Sequence, residues 1–364
     1  MAFSATIAAD MVALQLEKFI SPKNAKDILR HVANKPLLMK LDANKAEYGA
    51  AGAGAGGEVS GTTGNLREGV QGALMKDQSG FYAGISGDDV LVFKSSDGAV
   101  QTTCPTAWMH AGFQITHDEL LQGGIHVDKD NQTKSTAEDR SRLLDLLETR
   151  KADYLESVLY ARNLTLWLDG TQDSKAIKGI KSILTDDPTA GTTLGIARGN
   201  LWWRHVARTG VGGALPKLVY SKADQTLTET LLSDLRKYLT VYGGNPTVWL
   251  AGSDFCDAIE REARAKGQLT VTGWADRQTN VELQGVKIGN REFVYDPTLD
   301  LMGESKRCYA WDPDHLRLRP QKMEWGKVTN QNQPSDQFVM LISTTDRGGL
   351  TCNQLDCGYV AEME

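Results

Sequence analysis

No Cys-x-x-Cys pair occurs in this sequence, and its five cysteines, at 104, 256, 308, 352 and 357, are an odd number. That argues against a disulfide framework and the usual paired-thiolate zinc modules, and it points to a reducing compartment. Net positive charge is also missing: the balance is −6, which argues against tight coating of nucleic acid by phosphate neutralisation. No apolar run reaches the roughly 18 residues that cross a bilayer. The first twenty residues have no basic leader and carry Asp10 and Glu17, so they do not read as a signal peptide. A soluble chain, intracellular where it is made, is the expectation. The phosphate-binding G-x-x-x-x-G-K-[ST] and the nucleophile elbow G-x-S-x-G are both absent.

What is present looks like an ordinary globular composition spread over 364 residues, longer than one hydrophobic core usually grows. The first 48 residues hold no single period and read as an arm that must lie on something else. The run 49–57 is built of Gly and Ala. It contains G-x-G-x-x-G at Gly52, Gly54 and Gly57, but no apolar strand precedes it and no helix pattern follows. A flexible joint is therefore the reading, not a dinucleotide cradle.

From Phe81 to His117 the sequence alternates, with Gly-Asp-Asp and Asp97-Gly98 turns, which predicts an extended β-hairpin. Residues 135–168 carry a capping box at Ser135 and Glu138, then an apolar face of Leu143, Leu147, Tyr154, Val158 and Ala161. They predict one very long helix. A second helix is expected over Ala223–Tyr242, stopped by Gly243-Gly244, and a third over Asp254–Lys266, capped by Ser253. "TVWLAG" reads as a short buried strand, and from Leu269 onward the chain reads mainly as strand. The class is α+β.

Chemistry is thin. Cys104, His110, His117 and His126 offer soft ligands, but their spacing repeats on no helix face. Asp128 and Asp130 lack the glycine and terminal glutamate of a calcium loop. Asp186-Asp187 before Pro188 reads as a turn. No catalytic residue, cofactor or metal is expected. What remains is surface. In "LTDDPTAGTTLGIARGNLWWRH" the Thr192-Thr193, Gly195 and Gly199 positions suggest irregular backbone, and Trp202, Trp203 and Arg204 are residue types that dominate interface hot spots. One tryptophan is expected inward and one outward. The loop reads as a docking surface, with Asp186, Asp187, Pro188, Trp202, Trp203 and Arg204 as its candidates.

That loop after a long helix, followed by "FVYDPTLD" (293–300), "CYAWDPDHLRLRP" (308–320) and "GGLTCNQLDCG" (348–358), resembles the major capsid proteins of tailed phages, with the Hong Kong 97-type fold. The resemblance runs nearly the whole length. It implies an arm and joint (1–65), an extended hairpin loop (66–117) and a peripheral domain with its spine helix (118–245). An axial domain (246–311) and return strands of the peripheral domain (312–364) complete it. It further implies pentamers and hexamers of an icosahedral head around double-stranded DNA held by loose contact. The partners would be a portal, a scaffolding protein encoded separately because the arm begins at Met1, and in some cases a decoration protein. Assembly would take place in the host cytoplasm, on no membrane. Lys94 would be an interface residue of the hairpin. Some family members crosslink a loop lysine to an asparagine near the end, and Lys94 with Asn353 is the pair nominated here. Two alternatives stay open: a nanocompartment shell of the same fold, and an enzyme of unknown class using Asp187 or the His110–His126 group.

Overall fold

The computed structural model describes residues 35–48, 58–60, 65–71, 99–116, 153–220, 226–240, 243–265, 286–288, 291–322, 324–331 and 339–364. The chain opens with α1 (Pro36–Ala43), β1 (Glu58–Ser60), β2 (Asn65–Gln71), β3 (Ala99–Pro105), β4 (Ala107–Thr116) and α2 (153–167). The middle holds α3 (Ile180–Ile183), β5 (Thr192–Thr193), β6 (Ile196–Ala197), β7 (Val206–Arg208), α4 (Leu227–Asp234), β8 (Val248–Ala251) and α5 (Ser253–Ala265). Then follow β9 (Val286–Ile288), β10 (Arg291–Tyr295), α6 (Pro297–Leu301), β11 (Arg307–Trp311), β12 (Leu316–Pro320), β13 (Lys327–Gln331), β14 (Val339–Cys352) and β15 (Tyr359–Glu362). No described helix is long and apolar enough to cross a membrane. The five cysteines are free thiols.

Contacts divide the chain into two units. The larger takes 34–107, 163–322 and 348–364. Its centre is a six-stranded sheet in the order β7-β15-β11-β8-β10-β9. β8 pairs parallel with β10 and antiparallel with β11, and every residue of β8 is buried, as an apolar run covered on both faces should be. Side chains alternate across the pleat. Trp249, Ala251, Phe293, Cys308, Ala310, Tyr359 and Ala361 line one face, packed with Leu227, Leu231, Phe255 and Ile259 of α4 and α5. The rings of Phe293 and Tyr359 lie 4.9 and 5.8 Å from Trp249, the tilted range that aromatic quadrupoles favour. Small residues beside large ones let the two helices approach the sheet.

Three buried polar residues, Asp296, Asn163 and Asp234, tie distant segments into this unit. Asp296 caps α6 by accepting from the Thr298 amide at 2.9 Å, and it also accepts the Trp167 indole N–H at 2.9 Å. Asn163 donates to the Thr298 hydroxyl at 2.7 Å and accepts from the Leu38 amide at 3.1 Å. Asp234 receives the guanidinium of Arg208 and the phenol of Tyr359, the latter at 2.9 Å. β1, β2 and β3 form an antiparallel sheet, with β2 and β3 paired from Asn65↔Pro105 to Gln71↔Ala99.

The smaller unit takes 108–162 and 323–347 among the described residues. β13 pairs antiparallel with β14, from Lys327↔Thr345 to Gln331↔Leu341, and β4 also pairs with β14. Tyr154 donates its hydroxyl to the Ala111 carbonyl at 3.0 Å, and its ring lies 4.8 Å from Phe113. Arg162 grips Asp346 through two bonds of 2.6 Å, and Asp346 also accepts the Gly326 amide at 2.7 Å.

Several expectations shift. Only 153–167 of the long helix falls within the described residues, and there Tyr154 and Val158 are buried while Ala161 is exposed. Asn163, Leu166 and Trp167 take over the buried face, because Asp296 and Thr298 provide partners for its polar edge. The second helix is α-helical only to Asp234. Leu235–Leu239 form one wide turn closed by a Thr240 N–H to Leu235 C=O bond of 3.1 Å, and the extra residue brings Leu239 to the core. β7 and β15 lie outside 246–311 yet belong to the same sheet as β8 and β11, so the sheet crosses the expected domain boundaries. Backbone pairing of β11 with both β8 and β15 is the reason.

Candidate interface loop, residues 182–205

The loop leaves α3 and returns at β7, and its shape is set by one side chain. Arg198 is 5% exposed. Its guanidinium donates to the hydroxyls of Thr193 and Thr185 and to the carbonyls of Asp187 and Ala190 at 3.2 Å and of Ser182 at 3.3 Å. A planar fork with five N–H groups can satisfy that many converging oxygens. Burial lowers its pKa, and the nearby Asp187 charge opposes the shift.

Asp187 is a turn-former. Its carboxylate accepts the hydroxyl and amide of Thr189 at 2.7 and 2.8 Å, and the Gly213 amide at 3.3 Å. Those bonds, the Thr189 hydroxyl first, hold its pKa down to about 2. Pro188 behind it is buried. Asp186 points the other way and pairs with Arg307 at 2.9 Å. Arg307 also meets Glu304 at 3.2 Å and Glu362 at 3.0 Å.

The backbone expected to be irregular is a regular two-residue ribbon. Thr192 pairs with Ala197 and Thr193 with Ile196. Leu194 at φ 51° and Gly195 at φ 85° make the tight turn, the positive-φ pair that matches strand twist. Leu194 packs on Tyr48, Leu66 and Cys104, and its carbonyl accepts the Thr103 amide at 2.9 Å. Leu194 tolerates φ > 0 because both its carbonyl and its side chain are held there.

The tryptophans part company as adjacent residues should. Trp203 is fully buried, and its indole N–H donates to the Thr193 carbonyl at 3.1 Å. Trp202 is half-buried, its ring 6.1 Å from that of Trp203. Arg204 turns inward to the carbonyls of Arg198 at 2.7 Å and Gly199 at 2.9 Å. His205 is 2% exposed and donates from Nε2 to the Thr185 carbonyl at 2.6 Å, while its Nδ1 has no partner. Burial, first, and the Arg198 charge hold its pKa down to about 4.

Asp187, Pro188, Trp203 and Arg204 thus build the loop, and what it presents outward is Leu201, 76% exposed, beside Trp202. Leu201 and Arg198 were not singled out from the sequence. An arginine three positions before a Leu-Trp-Trp run carries no local signal of burial. Lys94, His117, His126 and Asp128 lie outside the described residues. His110 is exposed on β4, and Cys104 is a core residue beside Tyr48 and Leu66. Asn353 accepts a bond from His315 at 2.8 Å.

A mixed sheet with two covering helices, a β-ribbon and a self-braced loop make up the protein's class: an α+β fold whose prominent parts are surfaces. No family model matches the sequence, and no curated protein matches it. Among solved structures, the Cyanophage A-1(L) capsid asymmetric unit is similar with a TM-score of 0.59 at 14% identity, covering 92% of this chain and 94% of that one. Gordonia phage Cozz follows at 0.51 and 8% identity, covering 92% and 88%. The capsid structure of Cyanophage P-SCSP1u is similar at 0.50 and 7% identity, covering 93% and 90%. The chain shares its fold with the chains of these phage capsid structures.

Proposed function

We propose that this chain is a major capsid protein, a shell tile that assembles with copies of itself into the pentamers and hexamers of an icosahedral phage head around double-stranded DNA. The observation that carries the reading is the fold likeness to the Cyanophage A-1(L) capsid asymmetric unit over 92% of this chain. The loop supports it. Arg198 holds 182–205 in one shape from within, and a pre-shaped loop loses little entropy on docking. Leu201 and Trp202 are then the part offered to a neighbour.

In the Hong Kong 97-type arrangement the six-stranded sheet belongs to the axial domain and the smaller unit to the peripheral domain. The net charge of −6 fits packaged DNA that is enclosed without being gripped. A scaffolding activity and a portal are the partners this reading implies, with assembly in the host cytoplasm and residence in the virion. The chain acts as a structural protein and not as an enzyme.

Negative-stain electron microscopy of the purified protein, alone and co-expressed with a scaffolding protein, is the test. Closed polyhedral particles support the reading, and DNA inside particles from infected cells separates a phage head from an enzyme-filled compartment. A protein that stays monomeric under every assembly condition overturns it.

A further inference from the structure

β11 leads into β12 through the turn 312–315, and β14 leads into β15 through the turn 353–358. β11 pairs antiparallel with β15, and β12 with β14, so the two turns run side by side where both strand pairs leave one sheet for another. The Asn353 amide bonds the His315 carbonyl at 3.1 Å, which joins the two turns directly. Three side chains of different chemistry converge at this crossing. Ligand atoms of Asp312, His315 and Cys357 all lie within 4.8 Å of one another.

We propose that Asp312, His315 and Cys357 form a structural zinc site that staples the two crossover turns together. The donor set is one thiolate sulfur, one imidazole nitrogen and one carboxylate oxygen. It suits a borderline ion such as Zn²⁺ and excludes the all-oxygen shells of Ca²⁺ and Mg²⁺. Zinc bonds of about 2.0–2.3 Å at tetrahedral angles set neighbouring ligand atoms roughly 3.4–3.8 Å apart, so the set closes by an inward movement of about 1 Å.

The surroundings orient two of the three ligands. Asn353 Oδ1 accepts from His315 Nδ1 at 2.8 Å, which places the proton on Nδ1 and leaves the Nε2 lone pair free, 4.0 Å from Asp312 Oδ2. Asp312 is 6% exposed, and its oxygens are oriented by the amides of Asp314 at 2.9 Å and Asn245 at 2.8 Å. Cys357 is 1% exposed, and Gly244 presses against its sulfur so closely that a Cβ there would fall 2.2 Å away. A cavity of about 10 Å³ lined by Trp311, Asp312, Cys352, Leu355 and Cys357 adjoins the cluster. That is room for one water-sized ligand, so a water completes the shell. On binding, the Cys357 S–H bond breaks, its proton leaves to solvent and a Zn–S bond forms; nothing is oxidised or reduced.

The test uses the full-length, untagged protein under a phosphine reductant, titrated with Co²⁺ and then Zn²⁺. A thiolate-to-cobalt charge-transfer band that saturates at one ion per chain and is bleached by Zn²⁺ is expected. Cys357→Ser abolishes the band. Asn353→Ala, at a half-buried position, weakens Co²⁺ affinity about 10–100-fold while its melting curve reports any loss of folding. Cys256→Ser, whose thiol lies on α5 away from the cluster, leaves the band unchanged. The proposal is overturned if wild-type protein develops no band, if the band persists in Cys357→Ser, or if His315→Ala keeps the wild-type Co²⁺ affinity. Finding a Cys352–Cys357 disulfide in protein purified without reductant, with no metal uptake after reduction, overturns it as well.

Discussion

The guanidinium of Arg198 donates to the hydroxyl of Thr185, and that hydroxyl donates in turn to the carbonyl of Asp187 at 2.9 Å. The relay connects the two ends of the loop 182–205 through a charge that is almost wholly out of water. A cation so placed is tolerable only because each of its three nitrogens finds an oxygen. The loop is therefore over-determined at one point, and losing that point should cost more than an average surface change.

Arg198→Ala takes its donor from five oxygens, of which the Asp187 carbonyl keeps the Thr185 hydroxyl, so a loss of about 2–4 kcal/mol is expected. Arg198→Lys should recover less than half of it, since an ammonium cannot reproduce the fork. Denaturant unfolding of the three proteins measures this. Near-equal stability of wild type and Arg198→Ala would contradict the role given to the side chain.

His205 makes stability depend on pH. Its folded pKa of about 4 lies below the ordinary value of 6.5, so between those values the unfolded chain binds the proton and the folded chain does not. Stability is then full above about pH 6.5 and falls as the pH drops toward 4, by roughly 3 kcal/mol in all. The proton would go to Nδ1, which has no acceptor. Urea midpoints at pH 7 and 4.5 should differ in the wild type and differ much less in His205→Gln.

Adjacent glycines should respond differently. At Gly244 an added Cβ would fall 2.2 Å from Cys357 Sγ and 2.8 Å from the Leu239 carbonyl, so Gly244→Ala should destabilise by about 1–3 kcal/mol through crowding. At Gly243 nothing lies within 4 Å, and only φ of 85° resists a side chain. Gly243→Ala should cost about 1 kcal/mol from backbone strain alone. Thermal melts of the pair give the order, and a larger loss at Gly243 would refute it.

Neighbouring loop residues should separate folding from assembly. Trp203→Ala empties a buried site and should cost about 3–5 kcal/mol of stability. Leu201→Asp, at a position 76% exposed, should melt like the wild type yet fail to form shells. Melting curves beside electron micrographs tell the two apart. Normal shells from Leu201→Asp would remove Leu201 from the interface.

How much of this was legible in the sequence depends on the range of the interaction. The buried strand "TVWLAG" and the helix after Gly252 follow from residues a few positions apart, and the expected helix 254–266 is found as Ser253–Ala265. The Asp-Pro at 296–297 reads locally as a break, and locally it is one, since Asp296 caps and Pro297 starts α6. What the same carboxylate does with Trp167, 129 positions away, has no local trace. The tryptophan pair was visible as one in and one out, but not which was which, because that depends on where the Thr193 carbonyl lies.

By itself the sequence determined the buried strand 248–251, the helix that follows it, the Asp296 break and the overall likeness, because propensity, capping and pleat alternation act within a turn or two. Only the tertiary structure decided that Arg198 is a buried brace, that Asp186 answers Arg307, and that Asp312, His315 and Cys357 meet. Those relationships join residues that chain connectivity leaves far apart, and only the register of β11 with β15 and of β12 with β14 brings the metal-binding set to one point.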